Sequence, residues 1–282
     1  MVLEVSAGNL ARFAELVTRD QFALAEACLL IAEDQYPGLD APACIGRLDA
    51  MAATIRGRLA ADAFPEQKVA AINHHLFTEL SFAGNAGAYY DPRNSYLNEV
   101  LERRTGIPIT LSIVYLEVGR RLGLPVQGVS FPGHFLVKVR LRRGELVLDP
   151  FDGGAPQSEG SLRERLAQFM RPDEAGAADL ARFLDAASSR EIVTRVLRNL
   201  KAIYLQGGDA ESALAVMQRL LLVVPESAEE LRDRGLVYAR LECFRPAAAD
   251  LQNYLRRRPD APDALEIHTK LVALRAAGAR LN

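Results

Sequence analysis

The sequence predicts an α+β fold that is mostly helical and has one small antiparallel sheet. Apolar residues recur at spacings of three and four through the N-terminal region and again after residue 188, which is the period of an amphipathic helix. Between residues 131 and 149 the period changes to two, the alternation of a strand. The C-terminal part matches itself at an offset of 34 residues. We therefore divide the chain into a helical N-terminal region that packs on the core (1–90), the core (91–157), a linker with a docking helix (158–188) and helical repeats (189–282).

Composition excludes several classes of protein. With 49% hydrophobic and 25% charged residues, the 282-residue chain has enough apolar side chains for a packed core and is not disordered. Its formal charge of −2 and its lack of Trp argue against nucleic acid or an anionic membrane as a partner. Glu4 stands where a signal peptide carries bases, and the 3 cysteines and 4 histidines show no metal-ligand spacing. We expect a cytoplasmic protein without a metal or other cofactor, whose oligomeric state the sequence leaves open.

Three helices are predicted in the N-terminal region. Two apolar stripes define the first two helices, and the third is expected near 65–82. The breaks fall at Pro37-Gly38 and before Pro65, because proline removes a helix donor and restricts the residue that precedes it. The stripes consist of Leu24, Ala27, Cys28 and Ile31 in the first helix and of Ile45, Leu48, Ala52, Ile55 and Leu59 in the second.

Two helices and a hairpin are predicted in the core. A short helix is expected to end at about Arg104, and a longer one to run from about Pro108 to Leu122 with Gly123 as its stop. A half-buried strand over 131–141 then turns at 142–144 into a return strand over 145–149. In this pairing His134 and Asp149 share a face of the hairpin, and a slip of one residue would separate them.

Two capping boxes predict helix starts after the core. The sequence from Ser161 to Glu164 is expected to open a helix near 161–170 in the linker. The sequence from Ser188 to Glu191 is expected to open the C-terminal helical domain.

The C-terminal repeat has the 34-residue period of tetratricopeptide units, each of which is a pair of antiparallel helices. A third unit begins at about Pro262 and holds one capping helix, so the chain carries about two and a half units. Such a short array is suited either to buttressing the preceding domain or to binding a protein partner. The matching positions are Leu197, Leu200, Tyr204, Ala213, Met217 and Pro225 in the first unit and Leu231, Gly235, Tyr238, Ala247, Leu251 and Pro259 in the second.

The core resembles the transglutaminase-like, papain-related fold. The segments that carry this resemblance are Gly123-Leu124-Pro125, Gly133-His134-Phe135 and Leu148-Asp149-Pro150. In that superfamily a nucleophilic Cys opens a helix, and a His and an Asp on the following strands complete the site. A thiolate needs an imidazole to take its proton, and the imidazole needs a carboxylate to hold its tautomer. The resemblance therefore implies a site at His134 and Asp149.

The nucleophile is where the sequence departs from that pattern. Its position falls at about Pro108, and no cysteine is present there. Thr110 is the nearest hydroxyl and Ser112 follows it. Because a hydroxyl is far less ionised than a thiol at neutral pH, this exchange argues against covalent catalysis.

Nearly the whole chain resembles bacterial SirB-type proteins, which have a transglutaminase-like domain followed by tetratricopeptide repeats. The match rests on residues 94–97, 104–108, 121–125, 131–135 and 148–154. We expect a non-catalytic, degenerate transglutaminase-like protein that acts in protein interaction or regulation and binds a protein or peptide through its cleft and repeats. The alternative is a cysteine-independent hydrolase or acyltransferase that acts on peptide or amide bonds with His134, Asp149 and Thr110.

Three further residues are predicted to contribute to binding: Arg93, Asn94 and Pro108. Asn94 lies in one of the matched segments, and it also precedes the apolar residues of the short core helix. Asn94 is therefore interpreted either as the N-cap of that helix, with Ser95 as the neighbouring candidate, or as a residue of the cleft.

Overall fold

The computed structural model describes residues 7–171, 174 and 179–280. The chain divides into two compact units. The larger unit is Asp20–Val196, and the other combines the N-terminal helix α1 (Ala7–Val17) with the chain from Leu197 onward. Every residue that the sequence predicts for the cleft belongs to the larger unit.

In the larger unit more of the described residues are helical than lie in strands. Its helices include α2 (Leu24–Ala32), α3 (Ala41–Arg56), α4 (Pro65–Asn73), α5 (Leu97–Arg103), α6 (Pro108–Arg121), α7 (Glu159–Leu166) and α8 (Leu180–Phe183). Helix α6 is the central element, because all its residues from Pro108 to Gly119 are buried. It starts with a first-turn proline and stops before Gly123, whose φ of 63° suits a residue without a side chain. The predicted bounds of this helix are confirmed.

The N-terminal helices differ from the prediction in two ways. The described residues include α1 in addition to the three predicted helices, and α4 ends in a π-helix, His74–Glu79, before the expected limit of 82. Helix α1 buries Phe13, Leu16 and Val17, and the Phe13 ring lies 4.8 Å from the guanidinium carbon of Arg219. Its apolar face therefore packs within the repeat-containing unit.

The described residues of the larger unit form a five-stranded antiparallel sheet in the order β6-β5-β4-β3-β7. Val137 pairs with Leu148 and Val139 with Leu146, so the predicted hairpin has the expected register. A separate parallel pair joins β1 (Ala83–Gly84) to β2 (Thr105–Gly106). The strands of the main sheet are β3 (Val126–Val129), β4 (Leu136–Arg140), β5 (Glu145–Asp149), β6 (Ala155–Pro156) and β7 (Ala186–Ala187).

Both faces of the sheet are covered, and this corrects the prediction of a half-buried strand. Helix α6 packs against β3 and β4 on one face. On the other face Leu136 and Val147 pack against Leu162 and Leu166 of α7. Leu136 alternates with the polar residues His134, Lys138 and Arg140 and would face solvent in a half-buried strand. In the structure it is fully buried.

The linker helix starts earlier than its predicted capping box. Helix α7 has Ser158 as its N-cap, and the backbone N–H of Ser161 donates to Ser158 Oγ at 3.1 Å. The chain is held to the sheet until Gln157, whose N–H donates to the carbonyl of Val147, so the helix begins directly afterwards. The second box is confirmed, because the N–H of Ser188 donates to Glu191 Oε2 at 2.7 Å and the N–H of Glu191 donates to Ser188 Oγ at 3.2 Å.

The predicted repeat helices are α9 (Ser189–Gln206), α10 (Ala210–Val223), α11 (Ala228–Arg240), α12 (Phe244–Arg257) and α13 (Ala264–Arg280). The small position Gly235 lies against α12, where a Cβ atom would stand 2.8 Å from Leu251 Cδ2. Two charged side chains of the repeat helices form ion pairs: Lys201 binds Glu230, and Arg234 binds Asp250 through two nitrogens. The mostly helical α+β class is confirmed. None of the described helices combines the length and apolarity that crossing a membrane requires.

Candidate functional site

A tight turn presents His134. The N–H of His134 donates to the carbonyl of Phe131 at 3.0 Å, and Gly133 has a φ of 65°. Proline followed by glycine in the two central positions is the signature of a type II turn, so Pro132 and Gly133 explain the local conformation. His134 thus lies in the turn before β4, which corrects the prediction that the strand begins at 131.

Asp149 ends β5 and is the centre of the site. Its side chain is 0% exposed and accepts hydrogen bonds from three groups. His134 Nε2 lies 2.8 Å from each carboxylate oxygen, Arg165 Nη2 lies 2.8 Å from Oδ2, and the N–H of Phe151 donates to Oδ1 at 3.0 Å. The structure therefore brings His134 and Asp149 together and adds Arg165, which sequence reasoning missed.

The contact with Asp149 fixes the orientation of the His134 ring. A carboxylate accepts only, so Nε2 donates and Nδ1 carries the lone pair of the neutral ring. Within the described ranges Nδ1 makes no hydrogen bond. Its free lone pair makes His134 a hydrogen-bond acceptor for a ligand, or a base if a nucleophile stands beside it.

The start of α6, where the superfamily has its nucleophile, is occupied by structural hydrogen bonds. Pro108 is the buried first residue of the helix. Thr110 Oγ1 lies 2.7 Å from the carbonyl of Asn94 and accepts from the N–H of Ile107 at 3.1 Å. Ser112 Oγ donates to the carbonyl of Phe135 at 3.4 Å. Both hydroxyls thus serve the backbone, and neither bonds to the imidazole.

Cys28 and Cys44 are equally unsuited to act as nucleophiles. Burial raises the pKa of the Cys28 thiol, and the charge of Glu117 raises it further. Burial also raises the pKa of Cys44. Cys243 belongs to the repeats, where its Sγ lies 3.5 Å from the carbonyl of Leu241. A raised pKa lowers the thiolate fraction, so Cys28 and Cys44 have the properties of structural cysteines.

Asn94 does not cap α5, which corrects that interpretation. The N-cap position is Tyr96, because a short 3-10 helix at Pro92–Asn94 delays the start of α5. Asn94 is fully buried, and its Nδ2 donates to the carbonyl of Ala88 at 2.7 Å and to that of Tyr89 at 3.3 Å. Its side chain therefore holds the loop that carries Tyr89 and Tyr90.

Arg93 lies on the surface and takes part in a local ion pair. Its Nε and Nη2 donate to both carboxylate oxygens of Asp91, at distances from 2.7 to 3.1 Å. Arg93 neighbours Asn94 in the chain, but its guanidinium pairs with Asp91 at the start of the 3-10 helix that precedes α5. Pro108 is the buried first residue of α6, so its side chain is not exposed to a ligand.

Aromatic side chains connect these groups, and we call Tyr89, Tyr90, Phe151 and Phe169 the aromatic rim. The Phe151 ring lies 6.0 Å from the His134 ring and 6.4 Å from the Tyr89 ring, and the Tyr89 and Tyr90 rings are 5.4 Å apart. The Phe169 ring occupies the space where a Cβ atom on Gly133 would stand. Tyr90 and Phe169 are 65% and 57% exposed, so the rim offers apolar surface beside the imidazole.

Sequence reasoning could not have found Arg165 or the aromatic rim from a motif. Arg165 lies on a helix that the sequence marks only as a docking segment. On the same helix Arg163 pairs with Glu159, so an arginine there is not by itself a sign of a site. The rim residues come from three separate segments. The available signal was the exposed aromatic pair at residues 89 and 90, directly before the matched segment at 94–97.

Comparisons with known proteins assign both parts of the chain to known families. A family profile described as the transglutaminase-like superfamily matches residues 43–198, which is more than half of the chain. A tetratricopeptide repeat profile matches residues 200–271. No solved structure matches the chain.

Similar curated proteins come from bacteria. A UPF0162 protein of Xylella fastidiosa is 41% identical over 251 residues, which cover 89% of each chain. A UPF0162 protein of Pseudomonas aeruginosa is 30% identical over 250 residues, or 88% of this chain and 90% of the relative. Protein SirB1 of Salmonella typhimurium is 31% identical over 189 residues, or 66% of this chain and 68% of the relative. The chain therefore belongs to the SirB1 and UPF0162 family, with a transglutaminase-like domain followed by tetratricopeptide repeats.

Proposed function

We propose that the protein is a degenerate transglutaminase-like protein that binds a protein or peptide partner and catalyses no covalent transfer. The observation that carries this proposal is the contrast at the site. His134 and Asp149 keep their hydrogen-bonded geometry, whereas the start of α6 has Pro108 in place of a thiol. The interaction serves a regulatory role in the cytoplasm, where the three free cysteines stay reduced.

The hydroxyl groups near the site argue against the alternative, a cysteine-independent hydrolase or acyltransferase. A serine or threonine nucleophile needs a base within hydrogen-bond reach. Thr110 instead bonds to the carbonyl of Asn94 and to the backbone of Ile107, and its hydroxyl is buried. Recruiting it would break contacts that position the start of α6.

The same groups are suited to binding. The imidazole has an unused nitrogen, and the aromatic rim supplies apolar area that a peptide side chain would cover. The repeats add a second contact surface, because tetratricopeptide arrays generally bind protein segments. We therefore assign partner binding to the cleft and the repeats acting together.

Two measurements test this proposal. First, the protein is incubated with a glutamine peptide and a primary amine, and separately with a peptide ester, and products are followed by mass spectrometry. We expect no product above the buffer rate. Turnover that is lost in His134→Ala would refute the non-catalytic function and favour the alternative.

Second, immobilised wild type, His134→Ala and His268→Ala are compared for partner capture from bacterial lysate by quantitative mass spectrometry. His268 is an exposed histidine of the repeat-containing unit and serves as the matched control. We expect specific proteins to be retained by wild type and His268→Ala and to be depleted on His134→Ala. Equal retention by all three would show that the cleft takes no part in binding.

A further inference from the structure

Arg195 lies beside the turn that presents His134. It belongs to the part of α9 that packs in the larger unit. Its Nη1 donates to Ser130 Oγ at 3.3 Å, and Ser130 directly precedes the turn at residues 131–134. The guanidinium is half-buried, so it stands at the edge of the candidate site and not free in solvent.

No carboxylate of the described residues pairs with this guanidinium. The other arginines of the site are neutralised, Arg165 by Asp149 and Arg93 by Asp91. Partial burial without an anion disfavours the charged form, and the burial of Arg195 accordingly lowers the pKa of its guanidinium. A half-buried cation whose one hydrogen bond goes to a neutral hydroxyl leaves most of its donors for a ligand.

Tyr89 supplies a second unused donor at the candidate site. Burial raises the pKa of its phenol, and the charge of Arg195 acts in the opposite direction. Within the described part of the chain its hydroxyl makes no hydrogen bond, although its carbonyl is held by Asn94. Its ring contacts Phe151, which in turn contacts His134.

The Arg195 guanidinium, bonded to the residue before the His134 turn, and the Tyr89 phenol, linked to His134 through Phe151, are two donor groups without an anionic acceptor among the described residues, and they match the donor pattern of an anion site. Arginine binds planar carboxylates through two parallel hydrogen bonds, and a phenol adds a third. The aromatic rim lies directly alongside, so a ligand that carries a carboxylate next to an apolar side chain would engage both features. Two kinds of peptide have this combination. One ends in an apolar residue, whose own C-terminal carboxylate is adjacent, and the other contains an acidic residue next to an apolar residue.

We propose that Arg195 and Tyr89 form a carboxylate subsite of the His134 cleft, which takes the carboxylate of a peptide whose neighbouring apolar side chain packs on the aromatic rim. The subsite rests on the proposed function, because it gives the chemistry of the partner that the cleft binds. The carboxylate comes either from a peptide C-terminus or from an acidic side chain, and both sources present the same group to Arg195.

Three small probes separate these sources. N-acetyl-phenylalanine has a terminal carboxylate beside an aromatic ring, N-acetyl-phenylalaninamide lacks the charge, and N-acetyl-glutamyl-phenylalaninamide has only a side-chain carboxylate. Binding to the full chain is followed by NMR through the ring signals of 13C-labelled tyrosine. We expect at least one carboxylate probe to bind about tenfold or more tightly than the uncharged amide, as is typical of a charge-assisted pair. The probe that does so identifies the source.

The variants are chosen to isolate the subsite. Arg195→Gln removes the cation, and Arg198→Gln removes the same charge one helical turn along, where Arg198 pairs with Glu230. We expect Arg195→Gln to abolish the tenfold preference and Arg198→Gln to change it by less than about twofold. Tyr89→Phe keeps the ring and removes one hydrogen bond, so it should weaken binding several-fold even if Arg195→Gln fails to fold.

Two results would overturn the subsite. One is equal binding of all three probes, and the other is a carboxylate preference that survives Arg195→Gln and Tyr89→Phe. Either result leaves the lysate experiment unaffected, because retention that depends on His134 can persist without any carboxylate preference. Equal retention by wild type, His134→Ala and His268→Ala in that experiment, with the carboxylate preference intact, would instead refute the proposed function and leave the subsite standing.

Discussion

Replacing Asn94 with alanine tests the role of this side chain most directly. The structure gives it four contacts in a fully buried position: donation to the carbonyls of Ala88 and Tyr89, and acceptance from Asn85 Nδ2 at 3.2 Å and from Arg103 Nη1 at 3.5 Å. Asn94→Ala removes all four of these hydrogen bonds. We therefore expect the loop at residues 85–91, which carries two residues of the aromatic rim, to lose its attachment.

The expected cost follows from those contacts. Each hydrogen bond contributes roughly 0.5–1.5 kcal/mol net, and partners near the surface regain part of this from water, so Asn94→Ala should cost about 2–3 kcal/mol. A helix N-cap would cost only about 1 kcal/mol, and serine would restore it. Because the shorter serine side chain does not reach the carbonyl of Ala88, Asn94→Ser should be nearly as unstable as Asn94→Ala.

Urea unfolding followed by circular dichroism gives the free energy of unfolding, with the larger unit fitted as its own transition. Hydrogen exchange of the amides over 85–91 reports the loop itself, and the control is Asn253→Ala, which removes an exposed contact with Arg256. A loss below about 1 kcal/mol, or recovery of stability in Asn94→Ser, would refute the loop attachment and restore the capping interpretation.

Two further predictions concern the turn beside the site and the π-helix. Gly133→Ala and Gly123→Ala each place a Cβ atom at a φ near 63–65°, but only the first meets another side chain, the exposed Phe169 ring. Because that ring is free to swing aside, we expect both variants to lose a similar 1–2 kcal/mol in urea unfolding, and a much larger loss in Gly133→Ala would show that Phe169 is firmly packed. Hydrogen bonds from His75 and from Arg58 hold the pKa of Glu79 at about 2 instead of 4.5, and the His75 bond has the larger effect. A lowered pKa stabilises the fold above pH 4.5 and this stabilisation disappears as the pH falls towards 2, so Glu79→Gln should flatten the decline of Tm over that interval, whereas parallel curves would contradict the assignment.

The elements predicted best are those whose signals are local. Helix α6 combines a first-turn proline, continuous apolar residues and a stop at Gly123, and each of these acts within one turn of the helix. The β4–β5 hairpin follows from alternation and from the turn at 142–144. The burial of Leu136 was missed because it depends on α7, which returns to the sheet from a later part of the chain.

The candidate site divides in the same way. His134 and Asp149 are found because two short segments resemble a known core. Asn94 was misinterpreted because its local sequence has the form of a cap, whereas its side chain is taken by carbonyls five and six residues earlier. Arg195 has no motif at all, and only the fold brings it from α9 to Ser130.

The contacts of Asp149 bear on why a chain without a cysteine at the start of α6 would keep the His134–Asp149 pair. A buried carboxylate needs several donors, and here it receives them from the imidazole, from Arg165 and from the N–H of Phe151. Removing Asp149 would leave Arg165 without its anion and would free the turn that carries Phe151 into the aromatic rim. This structural role is sufficient to retain the aspartate without any catalysis. It also means that variants of Asp149 report on folding, so the function of the cleft is tested at His134, Tyr89 and Arg195.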